Sequence, residues 1–487
     1  MSYCGYITTL KNVRPHPNAD RMLLGDCFGN TVCVGLNSAE GEIGLYLPSD
    51  GQVSEEFGKQ NNLLRLYDAE GHSIPGGGYL DPVKRNIKAI SLRGVKSDGI
   101  FLPIACLAYT GVDMDTLNVG DQITVVNGHD ICTKYIPRGN GHRGGRGGKN
   151  GKKSKLPIAP LFTEHIDTEQ LAYNLDAFKP GDEIEITLKM HGTSQRTAYL
   201  PVLKGYNDSL FRRMVNKVIM GLKVRKNWGE DGRKVLYHSL KHGEPIYDWG
   251  YVSGTRRTIL ENYDGGFYGS NEFRETHSKF FEGKLHKGET VYYEVVGYTE
   301  TGVPIMATGD TPKEYVKQYG KKMEFSYGCS ATGWYTYDDG SHEELPISDI
   351  YVYRMTMTNE DGYTIEYTPD LMRLRCEQMA VKTVPVLWKG TIPEESNLPY
   401  MDDDKTIICS AGELIKFVAE NHYDGPDPIG KTHVREGVVV RIINREKFAA
   451  YKHKNWTFKV VEGLVKESAE APDMEEAEAF ANEEDKV

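Results

Sequence analysis

The sequence predicts an α+β chain built from two unequal units. Three observations carry that expectation. Residues 1–130 read as many short strands parted by Gly-rich turns, the pattern of a small β-barrel. Residues 131–156 contain a cationic, Gly-rich stretch that cannot pack. Residues 157–466 alternate β-branched and aromatic runs with stretches of helical spacing, which predicts antiparallel sheets with flanking helices. At 487 residues the chain has room for roughly two to four domains, each able to bury a core.

The barrel comes first. Cys27-Phe28-Gly29-Asn30 reads as a turn and Thr31-Val32-Cys33-Val34-Gly35 as a strand. Ala89-Ile90-Ser91-Leu92-Arg93-Gly94 follows the same pattern, and the run from Val119 to Val126 is a closing strand. Two segments, Pro15-His16-Pro17-Asn18-Ala19-Asp20-Arg21 and Leu92 to Ile100, are similar to the ordered signatures of tRNA-binding OB modules found beside aminoacyl-tRNA synthetases. That resemblance implies an OB-like barrel, a fold that grips single strands by stacking and charge. A barrel kept only as a scaffold is the plainer alternative.

The linker is next. From Arg138 to Lys155 it holds seven Lys and Arg and no acid. Arg138, Arg143 and Arg146 suit nonspecific phosphate contact. A plain tether between domains is the other reading, and both can hold.

The second unit opens at about Pro157. Its most informative segment is Ile184-Glu185-Ile186-Thr187-Leu188-Lys189, followed by Met190-His191-Gly192. Apolar residues at 184, 186 and 188 alternate with polar ones at 185, 187 and 189. That is a half-buried strand with Lys189 on its polar face. Gly192 permits the turn that follows. An amine at a strand end can attack phosphorus once its proton is lost, although a solvated surface lysine would look the same. An insertion over 201–250 follows. Phe211, Met214, Val215, Val218 and Ile219 have helical spacing, with Ser209 as N-cap. Its basic residues, Arg212, Arg213 and Lys217 among them, suit a duplex clamp or an ordinary solvated helix face.

Four later segments sharpen the reading. Val252 to Thr258 carries Arg256 and Arg257, planar donors for phosphate. Val291 to Tyr298 is a strand with one carboxylate, Glu294, which needs a donor if buried. Ile350-Tyr351-Val352-Tyr353-Arg354 places two tyrosines on one face, either able to stack on a base. Glu436-Gly437-Val438-Val439-Val440-Arg441 precedes Tyr451-Lys452-His453-Lys454-Asn455, where an extended Lys-x-Lys points two ammonium groups the same way. A structural ion pair, core packing or a charged strand edge would explain each segment alone.

Together the five segments resemble the motif series of the covalent nucleotidyltransferases, the ATP-dependent polynucleotide ligases and capping enzymes. K-x-H-G is similar to nick-sealing RNA ligases, since DNA ligases and capping enzymes usually carry Asp where His191 stands. Arg441 stands where many relatives have Lys. An N-terminal OB-like module ahead of the motifs resembles the Deinococcus-type RNA ligases. The resemblance implies an ATP-grasp-like ligase fold over 157–466. It implies that Lys189 takes AMP covalently from ATP, that the AMP passes to a 5′-phosphate end, and that a 3′-hydroxyl RNA end displaces it, at nicks in duplexes. It assigns His191, Gly192, Arg256 or Arg257, Glu294, Tyr353, Glu436, Lys452 and Lys454 to the nucleotide. Catalysis falls to Lys189, Glu436, Lys452 and Lys454. Glu436 would help place Mg²⁺ or Mn²⁺, with Tyr351 and Lys459 as lesser candidates for stacking and phosphate contact. An RNA-binding protein with an inactive ligase-like domain and a GTP-using capping guanylyltransferase are the alternatives.

Composition bounds the rest. The chain is 39% hydrophobic and 26% charged, as soluble globular proteins are. No membrane span, secretion signal or obligate protein partner is visible, which predicts a cytoplasmic protein. Eight scattered cysteines read as reduced thiols without a zinc site. The net charge of −11 is concentrated in residues 467–487, whose nine acids and one lysine sum to −8 and leave about −3 for the remainder. That acidic tail reads as disordered.

Overall fold

A computed structural model describes residues 3–68, 72–135, 158–165, 168–207, 244–260, 263, 271–306, 308–313, 315–394, 400–401, 407–408 and 410–467. The linker arginines Arg138, Arg143 and Arg146, the insertion residues Arg212, Arg213 and Lys217, and the acidic tail beyond Glu467 lie outside them. Among the described residues no helix is long and apolar enough to cross a membrane. The seven described cysteines are unbridged.

In the N-terminal unit the strand Gly5–Thr9 pairs antiparallel with Ile43–Leu47 and with Gln122–Ile123, and Ile100–Pro103 adds to the far edge. The chain then bends. Leu10 is fully buried, Asn12 has φ of +51°, and the register slips between Lys11 and Arg14. Lys11–Pro15 thereby enters a separate sheet with Leu23–Cys27 and Asn30–Val34. The expected turn at Phe28-Gly29 is present, with φ of +52° and +75°. Two consecutive positive φ values match the twist of a tight hairpin. Arg93-Gly94 makes the same turn between Ala89–Leu92 and Val95–Asp98.

The expected closed barrel is not found among the described residues. The strands form several small sheets instead. The closing run is the place where continuity fails. Gln122–Ile123 pairs with the first strand, but the Thr124 carbonyl takes the Ile131 N–H at 2.8 Å, and Val125–Val126 pairs with His129–Asp130.

The C-terminal unit consists of two main sheets. One has the order Glu169–Gln170, Ala449–Lys454, Gly437–Ile442, Glu183–Lys189, Val386–Thr391. Its Ile184, Ile186, Val438, Val440 and Ile442 pack with Ile415 and Ala419 of the helix Ala411–Tyr423. That helix starts with a capping box between Ser410 and Glu413. The other sheet has the order Glu244–Gly254, Thr193–Asn207, Glu289–Gly297, Ser348–Thr358, Thr364–Glu366. The helices Glu272–Lys279 and Pro369–Met379 cover its core side, where Phe273, Met372 and Cys376 meet Tyr293 and Val352. Lys189 ends a strand of the first sheet and Thr193 begins one of the second. Met190-His191-Gly192 is therefore the crossing between sheets, and a cleft opens beside it.

Candidate active site

The register of the first sheet builds the site. Lys189 lies opposite Gly437, and Gly437 opposite Lys454. The next row is Thr187, Val439 and Lys452, and the third is Glu185, Arg441 and Ala450. Alternation puts all nine on one face, away from the core side chains. Glu436, just before Gly437, is 3% exposed and accepts a hydrogen bond from Lys189 Nζ at 2.6 Å. Lys454 Nζ stands 3.5 Å from the same oxygen and 2.8 Å from Glu462. Lys189 and Lys454 flank one carboxylate. Burial raises the Glu436 carboxyl, but Lys189, Lys454 and His191 outweigh it and hold it below the ordinary range. Burial lowers the Lys454 ammonium, but Glu462 and Glu436 overcome that and raise it.

The crossing segment is fixed by packing. The His191 N–H donates to the Tyr327 hydroxyl at 2.7 Å, and its ring meets Phe325 and Phe458 edge-on. Burial pushes the imidazole down to about 4, against the pull of Glu436 3.7 Å away. Gly192 is dictated by contact. A Cβ there would fall 2.5 Å from the Val295 carbonyl oxygen and 2.8 Å from Glu294 Cγ. The glycine lets the crossing lie against the Glu294 strand.

An open cavity with about 960 Å³ of empty space, the solvent at its mouth included, lies on the Lys189 face. Lys189, Arg256, Glu294 and Tyr353 all line it. Of the paired arginines, Arg256 is half-buried in the wall while Arg257 is exposed. The ladder between Glu289–Gly297 and Ser348–Thr358 slips so that Tyr292 faces Arg354 and Tyr293 faces Val352. Tyr353 is the extra residue of a β-bulge, a device that re-aims a side chain. It reaches the cavity, its hydroxyl 2.9 Å from Ser194 Oγ. Tyr351, the lesser stacking candidate, is 4% exposed in the core with Met323 and Phe458 and is not among the residues lining the cavity.

Lys459, the lesser phosphate candidate, instead forms an ion pair with Asp98 of the N-terminal unit, on a helix (Trp456–Glu467) that Lys96 also meets through the Trp456 ring. Sequence reasoning also missed His165, Arg373, Phe448 and Glu462. His165 and Phe448 line the cavity; His165 Nδ1 accepts a hydrogen bond from Arg354 at 3.0 Å and the Phe448 ring lies against the same guanidinium, which is ion-paired with Glu366. Glu185 and Thr187 also line the cavity and were not singled out, although as polar positions of an alternating strand they carried a signal.

The two N-terminal signatures meet each other. Asn18 N–H donates to His16 Nδ1 at 3.1 Å, which leaves Nε2 as the protonated nitrogen facing the Leu92 carbonyl at 3.1 Å. Asn18 Nδ2 donates to the Arg93 carbonyl at 2.8 Å. These residues brace the unit internally.

Solved structures share this architecture. A lysine-to-methionine mutant of Naegleria gruberi RNA ligase with AMP and Mn superposes with a TM-score of 0.51 at 16% identity, covering 93% of this chain and 97% of that one. A lysine-to-alanine mutant of the same ligase with ATP and Mn gives 0.52 at 15% identity, covering 95% and 99%. The chain has an RNA-ligase fold. No protein-family model and no curated protein sequence matches it.

Proposed function

We propose that the chain is an ATP-dependent RNA ligase that works through a lysyl-AMP intermediate. The observation that carries this reading is the convergence of Lys189, Glu436 and Lys454 at the mouth of a cavity that also holds Arg256, Glu294 and Tyr353. These residues come from five separate segments in the order of the motif series. The RNA-ligase fold, and neighbours whose structures hold ATP or AMP with Mn, support it.

In the proposed reaction Lys189 leaves Glu436, loses a proton to solvent and attacks the α-phosphorus of ATP. An N–P bond forms, the α–β bridging P–O bond breaks, and pyrophosphate departs with the electron pair. A 5′-phosphate oxygen of RNA then attacks the AMP phosphorus and frees the lysine. A 3′-hydroxyl finally attacks the 5′-phosphorus and AMP leaves. Lys454, Lys452 and Arg256 stabilise charge on the phosphates, where one preorganised donor is commonly worth about 10²–10³ in rate. Tyr353 stacks on the base over Val439, and Glu294 contacts the ribose.

Among the described residues no three His, Cys, Asp or Glu side chains converge on a metal site. Glu436 nonetheless fits a divalent cation, because its buried Oε2 takes no hydrogen bond. Mg²⁺ or Mn²⁺ would be held there together with phosphate oxygens and would neutralise their charge. Nicked RNA-containing duplexes or RNA ends are the proposed partners. The N-terminal unit and the basic linker would contribute phosphate contacts.

The test is incubation with α-labelled ATP and magnesium. Label should remain on the protein in a denaturing gel, and Lys189→Ala should lose it entirely. Labelling that survives in Lys189→Ala would refute the mechanism.

A further inference from the structure

We infer that Glu185 reads the base of the nucleotide, admitting adenine and turning guanine away. The inference rests on the adenylyl-transfer reading above and names a specificity residue within that site. The register is the starting point. Residues two apart on a strand share a face at about 6.7 Å spacing, so Glu185 lies about 13 Å from Lys189 along one face, with Thr187 between them. All three line the same cavity. The first row of the sheet is cationic, the middle row offers Val439 as an apolar floor, and the third row is Glu185, Arg441 and Ala450. A nucleotide tethered by its α-phosphorus at Lys189 and laid along this face presents the far edge of its base to the third row.

That row offers carboxylate and guanidinium groups, and their commitments decide which reads the base. Arg373 is turned onto Glu185 at 2.9 Å and Asp370 at 2.6 Å. Arg441 donates to the Tyr367 carbonyl at 2.9 Å and stands 3.8 Å from Glu366. Both guanidinium groups are already engaged. Glu185 is 2% exposed, and its Oε2, although ion-paired with Arg373, takes no aligned hydrogen bond. A carboxylate has about four lone-pair sites, so acceptor capacity remains toward the cavity. Adenine presents an exocyclic amino donor at position 6, whereas guanine presents a carbonyl acceptor. Facing position 6 of the ring, a buried carboxylate pairs with the first and repels the second, and burial strengthens both effects. Arg373 acts as a positioning residue that holds the carboxylate in place.

The experiment compares full-length wild-type and Glu185→Gln protein, each given magnesium and either α-labelled ATP or α-labelled GTP. Wild type should strongly prefer ATP. Glutamine offers both a donor and an acceptor, so the preference should narrow by about ten- to a hundredfold. A folded Glu185→Gln protein with an unchanged preference overturns the inference and leaves adenylyl transfer standing. Because that substitution also disturbs the Arg373 pair, wild-type protein is given purine riboside triphosphate, which lacks the amino group. Labelling from it as efficient as from ATP overturns the inference as well. Wild-type protein that takes label from neither ATP nor GTP rejects the adenylyl-transfer reading itself, and this inference with it.

Discussion

The two units use their distinctive residues in opposite ways. In the N-terminal unit, His16 and Asn18 reach across 75 or more positions to hold Leu92 and Arg93, and their polar atoms are spent on one another. In the C-terminal unit, Lys189, Arg256, Glu294 and Tyr353 surround an open cavity. A recognisable pattern in sequence can therefore mark a brace or a binding site. What separates the two is whether the side chains line an open cavity.

The comparison breaks most visibly at the paired arginines. Arg256 lines the cavity and Arg257 faces solvent. Arg256→Ala should lower the rate of protein labelling from α-labelled ATP by about 10²–10³, the usual cost of one lost phosphate donor. Arg257→Ala should stay within a few-fold of wild type. Equal losses from the two would mean that the cavity wall does not mark the phosphate path.

These two arginines also show how far the sequence is legible. The alternation of 184–189 identifies Lys189 and its face because a strand repeats every two residues, a purely local property. The same rule gives Lys452 and Lys454 a shared face, and the register keeps them there. It is silent about Tyr353 as the extra residue of a bulge, because that slip is set by the pairing of Tyr292 and Tyr293 about sixty residues earlier. Arg373 is out of reach for the same reason: its partner Glu185 is distant in the chain, and nothing local announces the pair. In the N-terminal unit the tight turns at Phe28-Gly29 and Arg93-Gly94 are legible, but closure into a barrel depends on which edges meet. There the Thr124 carbonyl diverts the closing run.

The brace predicts the reverse outcome of the arginine experiment. His16 is 4% exposed and satisfies both the Asn18 N–H and the Leu92 carbonyl. His16→Ala removes two part-buried hydrogen bonds, each worth about 0.5–1.5 kcal/mol, together with the packing of a buried ring. Denaturant titration should show a loss of about 2–4 kcal/mol, while labelling by ATP at a permissive temperature stays unchanged. Lost labelling in a folded His16→Ala protein would give the N-terminal signature a part in adenylyl transfer.

The smallest effect concerns acid. His191 and His277, both in the C-terminal unit, are pushed down to about 4 by burial. His277 lies away from the reactive row and shares a hydrogen bond of 2.9 Å with Ser348 Oγ; the nearby Asp349 only partly offsets the burial. Above the unfolded value of about 6.5, neither the folded nor the unfolded state binds the proton, and the full stability is present. As pH falls from 6.5 toward 4, the unfolded chain takes up a proton that the folded imidazole refuses. Stability then drops by at most about 1.4 kcal/mol per pH unit for each such histidine. His277→Gln should remove that share, so its denaturation midpoint should fall less steeply than that of wild type between pH 6.5 and 5. Parallel pH profiles for the two proteins would show that His277 takes up its proton as easily folded as unfolded.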